Sequence, residues 1–122
     1  MPALYYVLLE AETGKAYVRP FASLDGVRER YGFKSPIIRK ALLLPEPFRF
    51  FGDSLAVYDG KPINFMASFY SGLNNNRVLY GDICILKQTN GRISGLDETE
   101  LRFIGLSLAQ SFGVPLPSIA SA

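Results

Sequence analysis

Two runs of β-forming residues open the chain, and a short polar turn separates them. Leu4 to Glu10 and Ala16 to Phe21 are rich in aromatic and aliphatic residues, and Glu12-Thr13-Gly14-Lys15 lies between them. Gly14 can adopt the positive φ that a tight hairpin turn needs. Both faces of the first run are apolar, which predicts a strand in the interior of a sheet with both of its faces covered.

Two short helices are predicted after this hairpin. The first has Ser23 as its N-cap and ends at Gly32. Its apolar residues are spaced for one helical face and are Leu24, Val27 and Tyr31. The second is predicted to start at Ser35-Pro36, because proline is favoured at the first helical position. It ends before Pro45, and its apolar residues are Ile37, Ile38, Ala41 and Leu42.

The middle of the chain alternates extended stretches with turns. Phe48 to Phe51 and Ser54 to Tyr58 are predicted strands that Gly52-Asp53 interrupts. Asp59-Gly60 is a hairpin turn signal, and Ile63 to Ala67 is the predicted return strand.

The last third shows the strongest strand pattern and the best-marked helix. Arg77 to Lys87 is the predicted strand, and Asn90-Gly91 predicts a type I′ turn into Arg92 to Ser94. Asp97 and Glu100 have the spacing of a capping box at a helix start. The helix ends at Gly113, and its apolar stripe should pack on the sheet: Leu101, Ile104, Leu108 and Phe112.

These elements predict a single α+β domain over residues 1–113. We expect an antiparallel or mixed sheet of hairpins, with the two short helices after the first hairpin and the C-terminal amphipathic helix packed on the sheet. Residues 114–122 are small and uncharged and are predicted to form a flexible tail.

Composition narrows the classes of function. The 122 residues carry a net charge of +2 and include no histidine and one cysteine, Cys84. The commonest general base and the usual zinc ligands are therefore missing, and Cys84 is predicted to be a small core residue. We expect no enzymatic activity, no metal and no cofactor; an enzyme that uses carboxylates and tyrosine is the third alternative, after the two binding hypotheses below. The absence of a signal peptide, of an apolar membrane-spanning run and of a cysteine pair predicts a cytoplasmic protein without membrane contact, as a monomer or homo-oligomer.

One stretch of the chain is distinctly basic. Between residues 28 and 40, five cations face a single acid, Glu29. The cations are Arg28, Arg30, Lys34, Arg39 and Lys40. On two short helices, these residues could bind an anionic partner such as a nucleotide or nucleic acid, or they could form an ordinary solvated helix face. Both interpretations are open at this point.

A second candidate site is the polar loop Asn74-Asn75-Asn76-Arg77. Amides can contact the edge of a ligand, and the guanidinium of Arg77 can bind a carboxylate or phosphate through two hydrogen bonds. Asparagines are also common in ordinary turns. The loop is therefore a ligand-binding candidate or a simple turn.

Several segments of the second half share the pattern of a known family. They are Tyr58-Asp59-Gly60-Lys61, Asn76-Arg77, Tyr80 to Leu86, Asn90-Gly91 and Gly95 to Leu101. This pattern resembles that of a family of small uncharacterised domains encoded by phages, plasmids and integrative elements. The resemblance covers roughly residues 54–104 and departs from the family at Asp97, where threonine is frequent. It implies an accessory protein of a mobile element, for which counter-defence is a common role.

The leading hypothesis from the sequence is a non-enzymatic binding protein. It would sequester an anionic host ligand, such as a signalling nucleotide, or inhibit a host defence protein. The alternative is a small nucleic-acid-binding protein that uses the basic helices at 28–40.

Overall fold

An antiparallel sheet of six strands carries three helices in the part of the chain that the computed structural model describes, residues 3–72 and 78–116. The strands are β1 (Tyr5–Leu9), β2 (Ala16–Pro20), β3 (Pro36–Arg39), β4 (Phe48–Asp53), β5 (Ile83–Thr89) and β6 (Arg92–Ser94). The helices are α1 (Leu24–Tyr31), α2 (Phe65–Ser71) and α3 (Glu98–Phe112). The predicted α+β class and the C-terminal helix are confirmed.

The strands are arranged in the order β2-β1-β5-β4-β3, and β6 extends the sheet beside β5. Each neighbouring pair is antiparallel. β1 lies between β2 and β5, and Tyr6 to Leu9 are buried on both of its faces, so the predicted interior strand is confirmed. β3 pairs with β4 alone among the described strands, which makes it an edge strand.

Each face of the sheet has its own hydrophobic core. On the first face, α2 and α3 cover residues that include Val7, Val18, Phe50 and Ile85. On the second face, α1 and Phe33 cover residues that include Tyr6, Leu8, Phe51, Cys84 and Leu86. Because side chains alternate between the faces of a strand, one strand supplies both cores.

α1 and α3 begin and end where the sequence predicts. Ser23 accepts a hydrogen bond from Gly26 N, and Gly32 ends α1 at a φ of 64°. Asp97 and Glu100 form the predicted capping box of α3. In α3, Leu101, Ile104 and Leu108 are buried, and Phe112 packs against the first core half-buried. None of the helices in the described ranges is long and apolar enough to cross a membrane.

The packed part of the chain continues past α3. Val114 and Leu116 are half-buried and pack against the first core. Of the predicted tail, residues 117–122 lie outside the described residues.

The predicted second helix after Pro36 is wrong, because Pro36–Arg39 forms β3. Ile37 and Ile38 are β-branched and pair with Gly52 and Phe51 of β4. Ser35 is not a helix cap: its N–H donates to the carboxylate of Asp53. Pairing with a strand that lies more than ten residues away overrides the local helix signal.

The predicted hairpin over residues 54–67 is also wrong. Residues 54–60 form successive turns, and α2 begins at Phe65. Asn64 is its N-cap and accepts a hydrogen bond from Ala67 N, while its buried amide donates to the carbonyls of Leu9 and Gly81. These three bonds fix the helix start against the ends of neighbouring elements.

The strongest predicted strand is present but starts later than expected. β5 begins at Ile83 rather than at Arg77. The predicted type I′ turn between β5 and β6 is confirmed, since Asn90 and Gly91 both have positive φ, at 52° and 77°.

Candidate functional site

The five predicted basic residues occupy three separate places. Arg28 and Arg30 lie on α1 over the second face of the sheet, Lys34 lies in the following loop, and Arg39 and Lys40 lie at the end of β3. The prediction that they share two adjacent helices is wrong, because β3 replaces the second helix. The five residues therefore do not form one continuous basic surface.

Three of these cations are engaged close to where they lie. Arg28 donates from Nε to the carbonyl of Phe33 at 3.3 Å. The guanidinium of Arg30 lies over the ring of Tyr31, 5.9 Å from its centre. Lys34 pairs with Asp59 at 3.2 Å. These contacts stabilise the end of α1 and the loop that follows it.

Arg39 and Lys40 differ from the other three. Lys40 pairs with Glu46 at 3.4 Å, but both side chains are largely exposed, so the pair contributes little. Arg39 is exposed and has neither an ion pair nor a side-chain hydrogen bond with any of the described residues. Its donors are therefore available to a ligand.

Two adjoining pockets meet at Arg39, and we call them together the edge site. The first has a volume of about 120 Å³, and its lining includes Ile37, Phe50, Val57, Val78, Tyr80 and Ile83. The second has a volume of about 170 Å³ and is lined by Arg39, Lys40, Ser71 and Leu79. Arg39 and Leu79 line both pockets. The site is thus a mainly apolar recess that Arg39 lines, and Asp53 and Ser54 also belong to the lining of its first pocket.

Strand register places Arg39 in this recess. Arg39 is the direct partner of Phe50, which in turn pairs with Ile85 of β5. Directly paired residues of antiparallel strands share a face, so Arg39 lies on the same face as the core that α2 and α3 cover. Phe50 and Ile85 are fully buried, whereas Arg39 on the edge strand is exposed.

Gly52 makes room for the inner part of the site. It pairs with Ile37, and a Cβ at this position would lie 2.5 Å from Cδ1 of Ile83. A larger residue here would force the end of the Ile83 side chain to move from its place over β4.

The carboxylate of Asp53 holds the chain segments that border the edge site. It accepts hydrogen bonds from the backbone N–H groups of Lys34, Ser35 and Leu55, each at 3.0 Å. Burial alone would raise the pKa of Asp53, but these backbone N–H groups and the nearby Lys34 charge together hold it below its ordinary value. Asp53 is therefore charged at neutral pH, and its carboxylate is engaged in the hydrogen bonds that hold these segments together.

The predicted loop Asn74-Asn75-Asn76-Arg77 lies outside the described residues. Ser71 and Leu79, on either side of it in sequence, line the same pocket as Arg39 and Lys40. Two of the predicted basic residues and two described residues that flank the predicted polar loop in sequence therefore line one pocket.

A second concave region lies where α1 and β4 end and β5 begins, with a volume of about 420 Å³. Its charged residues are Glu12, Asp53, Asp59 and Asp82 against Lys34 and Lys61. Asp82 accepts a hydrogen bond from Ala11 N at 3.1 Å, and Asp53 and Asp59 are engaged as described above. The excess of carboxylates disfavours an anionic ligand, and most of these groups already have structural partners.

The buried reactive groups belong to the core rather than to a site. Cys84 is fully buried, and desolvation, with a smaller contribution from Asp82, raises the pKa of its thiol well above the ordinary value. The hydroxyls of Tyr6 and Tyr31 bond to each other at 2.8 Å, and burial raises the pKa of both. In residues 3–72 and 78–116, no group of three or more acidic or cysteine side chains is placed to hold a metal ion.

Sequence reasoning missed most of the residues that surround Arg39. The sequence pattern places Ile37 on a helix and gives no site signal at Leu79, Tyr80 or Ile83. Phe50 belongs to an aromatic-rich stretch that could mark a partner surface if exposed, but it is buried. One signal was available: an isolated glycine between aromatic strand residues and a turn, as at Gly52, marks a close approach of another group. The other residues come together only through strand register.

No family model matches the chain, and neither a curated protein nor a solved structure matches it.

Proposed function

We propose that this protein is a non-enzymatic binding protein whose edge site takes a small anion with an apolar body. The observation that carries the proposal is Arg39, whose guanidinium has no partner among the described residues and which lines both pockets of a mainly apolar recess. Ligand pockets are typically apolar with a few polar groups that orient the ligand, and the edge site has this composition. A guanidinium binds a carboxylate or phosphate through two parallel hydrogen bonds.

The volume of the site limits the ligand. Pockets of about 120 and 170 Å³ are small beside the usual 300–1,000 Å³ of sites for drug-sized molecules. A single ring or a short aliphatic chain with one carboxylate or phosphomonoester fits this space. The ligand would be either a small metabolite of this size or a larger molecule with such a group at one end.

The ionisable groups around the site support binding rather than catalysis. A guanidinium has hydrogen-bond donors only and no acceptor, so Arg39 is suited to hold an anion rather than to accept a proton. The carboxylate of Asp53 already accepts three backbone hydrogen bonds. The family resemblance adds a biological role to this proposal. An accessory protein of a mobile element would use the site to sequester a host ligand.

The dispersal of the basic residues makes nucleic acid the weaker candidate. A phosphate backbone is bound along a track of cations, and its affinity grows with the number of phosphates contacted. Arg28 and Arg30 lie on a different face from Arg39, and Lys34 is paired with Asp59.

The test uses benzoate and phenyl phosphate as probes, benzamide as the uncharged match, and a single-stranded oligonucleotide for the alternative. Binding is followed by the thermal midpoint and by amide chemical shifts of Ile37, Arg39 and Leu79. Both anions should bind, and benzamide should bind more weakly. Arg39→Ala should reduce anion affinity about tenfold to hundredfold, because a hydrogen bond to a charged group contributes ~1.5–3 kcal/mol.

Arg28→Ala is the matched control, since it removes the same charge from α1 and should leave anion binding unchanged. Lys40→Ala should have a smaller effect than Arg39→Ala, because its ammonium is already paired with Glu46. If neither anion binds, or if Arg39→Ala binds both as the parent does, the proposal is wrong. Tight oligonucleotide binding that Arg28→Ala weakens would support the nucleic-acid alternative instead.

A further inference from the structure

The outer surface of the helical layer on the first face of the sheet is apolar. Six large apolar side chains are exposed there, with exposed fractions from 39% to 74%. They are Leu42 and Leu43 of the loop after β3, Phe65 and Phe69 of α2, and Phe103 and Leu106 of α3. We call this surface the helical face.

Direct contacts hold the three segments of the helical face side by side. The hydroxyl of Tyr70 in α2 bonds to Ser107 of α3 at 2.6 Å. Phe69 packs edge-to-face on Phe112, with ring centres 5.1 Å apart. Leu43 N donates to the carbonyl of Tyr70 at 2.8 Å.

In α2, the exposed residues are Phe65 and Phe69, which lie about one helical turn apart on one face. In α3, Phe103 and Leu106 are three residues apart and also exposed, and one side of the Phe103 ring stacks on Phe48 of β4, with ring centres 5.5 Å apart.

The helical face is almost free of charge. Residues 41–44 and 62–72 contain no charged side chain. Of the fifteen residues of α3, three are charged: Glu98 and Glu100 in its first turn, and Arg102. By contrast, four of the eight residues of α1 on the opposite face are charged: Asp25, Arg28, Glu29 and Arg30. Ordinary protein surfaces carry charges at about a quarter of their positions, whereas the centres of interfaces are depleted of Lys, Glu and Asp.

We infer that the helical face is the interface of a symmetric homodimer. The six side chains expose roughly 650 Å², taking about 200 Å² for one that is fully exposed, against the ~800 Å² per partner that a stable complex buries. A two-fold axis places the same patch on itself, so an uncharged apolar patch meets its own complement without like-charge repulsion. A second copy of the chain thus presents a patch of the same apolar, weakly charged composition.

The experiment compares the parent with the double variant Phe65→Glu/Leu106→Glu by sedimentation equilibrium and native mass spectrometry. Both side chains are well exposed, so the substitutions should preserve the fold, as far-UV circular dichroism will show. The parent should be a dimer at micromolar concentration and the variant a monomer. Tyr58→Glu is the matched control, because Tyr58 is 83% exposed but lies in the turns of residues 54–60. It should remain a dimer.

A second measurement keeps the test decisive if the double variant fails to fold. Hydrogen exchange of the parent at concentrations above and below dissociation should show concentration-dependent protection in residues 65–71 and 103–110, but not in α1. A monomeric parent, a dimer that survives both substitutions, an assembly with an odd number of subunits, or protection confined to α1 would each overturn the inference. The dimer inference and the proposed edge site are independent, because the edge site is tested separately with benzoate and phenyl phosphate.

Discussion

Arg39 and Phe50 are direct cross-strand partners in the β3–β4 pair, yet Phe50 is fully buried and Arg39 is exposed. The helical layer covers β4 and β5 at this level and leaves the edge strand β3 open. A polar, charged residue next to a buried aromatic ring therefore marks the border of the core, and it is at this border that the edge site lies.

Replacing Arg39 by valine should separate folding from binding. Valine favours an extended strand and can pack beside Phe50, so the free energy of unfolding should stay the same or rise by up to ~1 kcal/mol. Benzoate binding should fall as it does in Arg39→Ala. Urea melts and a benzoate titration on the same sample check both parts. A clear loss of stability would show that Arg39 is needed for the fold.

Gly52 and Ile83 should behave as a coupled pair. Gly52→Ala should destabilise the protein by about 1–3 kcal/mol, because the new methyl group would collide with Cδ1 of Ile83. Ile83→Val removes that carbon at a cost of about 0.5–1.5 kcal/mol. The double variant should lose less stability than the sum of the single variants, as measured in a double-mutant cycle in urea. Strict additivity would contradict the contact.

Ile104 should be essential for the packing of α3. Its side chain is fully buried between α3 and the sheet, so Ile104→Ala should lower the free energy of unfolding by about 2–5 kcal/mol. Gln110→Ala on the exposed side of the same helix is the control and should change it by less than ~0.5 kcal/mol. A loss below ~1 kcal/mol for Ile104→Ala in denaturant melts would place α3 at the periphery of the fold.

Asp53 should make stability depend on pH in the acid range. Its pKa is lower in the folded than in the unfolded chain, so the unfolded state takes up the proton first as the pH falls. The stabilisation is present above the unfolded pKa, near 4, and is lost as the pH falls through the folded pKa. Asp53→Asn should be less stable at neutral pH and show a shallower acid decline in urea melts between about pH 6 and 2.

The exposed acid Glu12 offers a control for this experiment. Glu12→Gln should retain the acid dependence of the parent protein. If Asp53→Asn has the same acid slope as the parent, the three backbone hydrogen bonds do not perturb the carboxyl group in solution.

Cys84 should be inert in the native protein. The thiolate is the reactive form, and burial raises the pKa of this thiol well above its ordinary value. A thiol-specific chromogenic reagent should react slowly with the folded protein and rapidly in guanidinium chloride. Tyr58→Cys, which adds a thiol at an exposed turn position, provides the positive control. Prompt reaction of the native parent would mean that β5 opens readily.

The sequence by itself determined the elements whose signals are local. Ser23 and Gly32 bound α1, the capping box starts α3, and Asn90-Gly91 closes the last hairpin. The buried stripe of α3 was also predictable, since apolar residues at helical spacing must face a core. In each of these cases, the deciding interactions lie within a few residues of one another.

Only the tertiary structure decided the course of the chain at residues 36–39 and 63–71. Helix and strand propensities differ by less than ~1 kcal/mol per residue, so the hydrogen bonds of Asp53 to Lys34 and Ser35, and those of Asn64 to distant carbonyls, outweigh them. The edge site depends on the same kind of contact. Arg39 was visible as a cation in the sequence, but its position beside Phe50 follows from a strand register that no local pattern encodes.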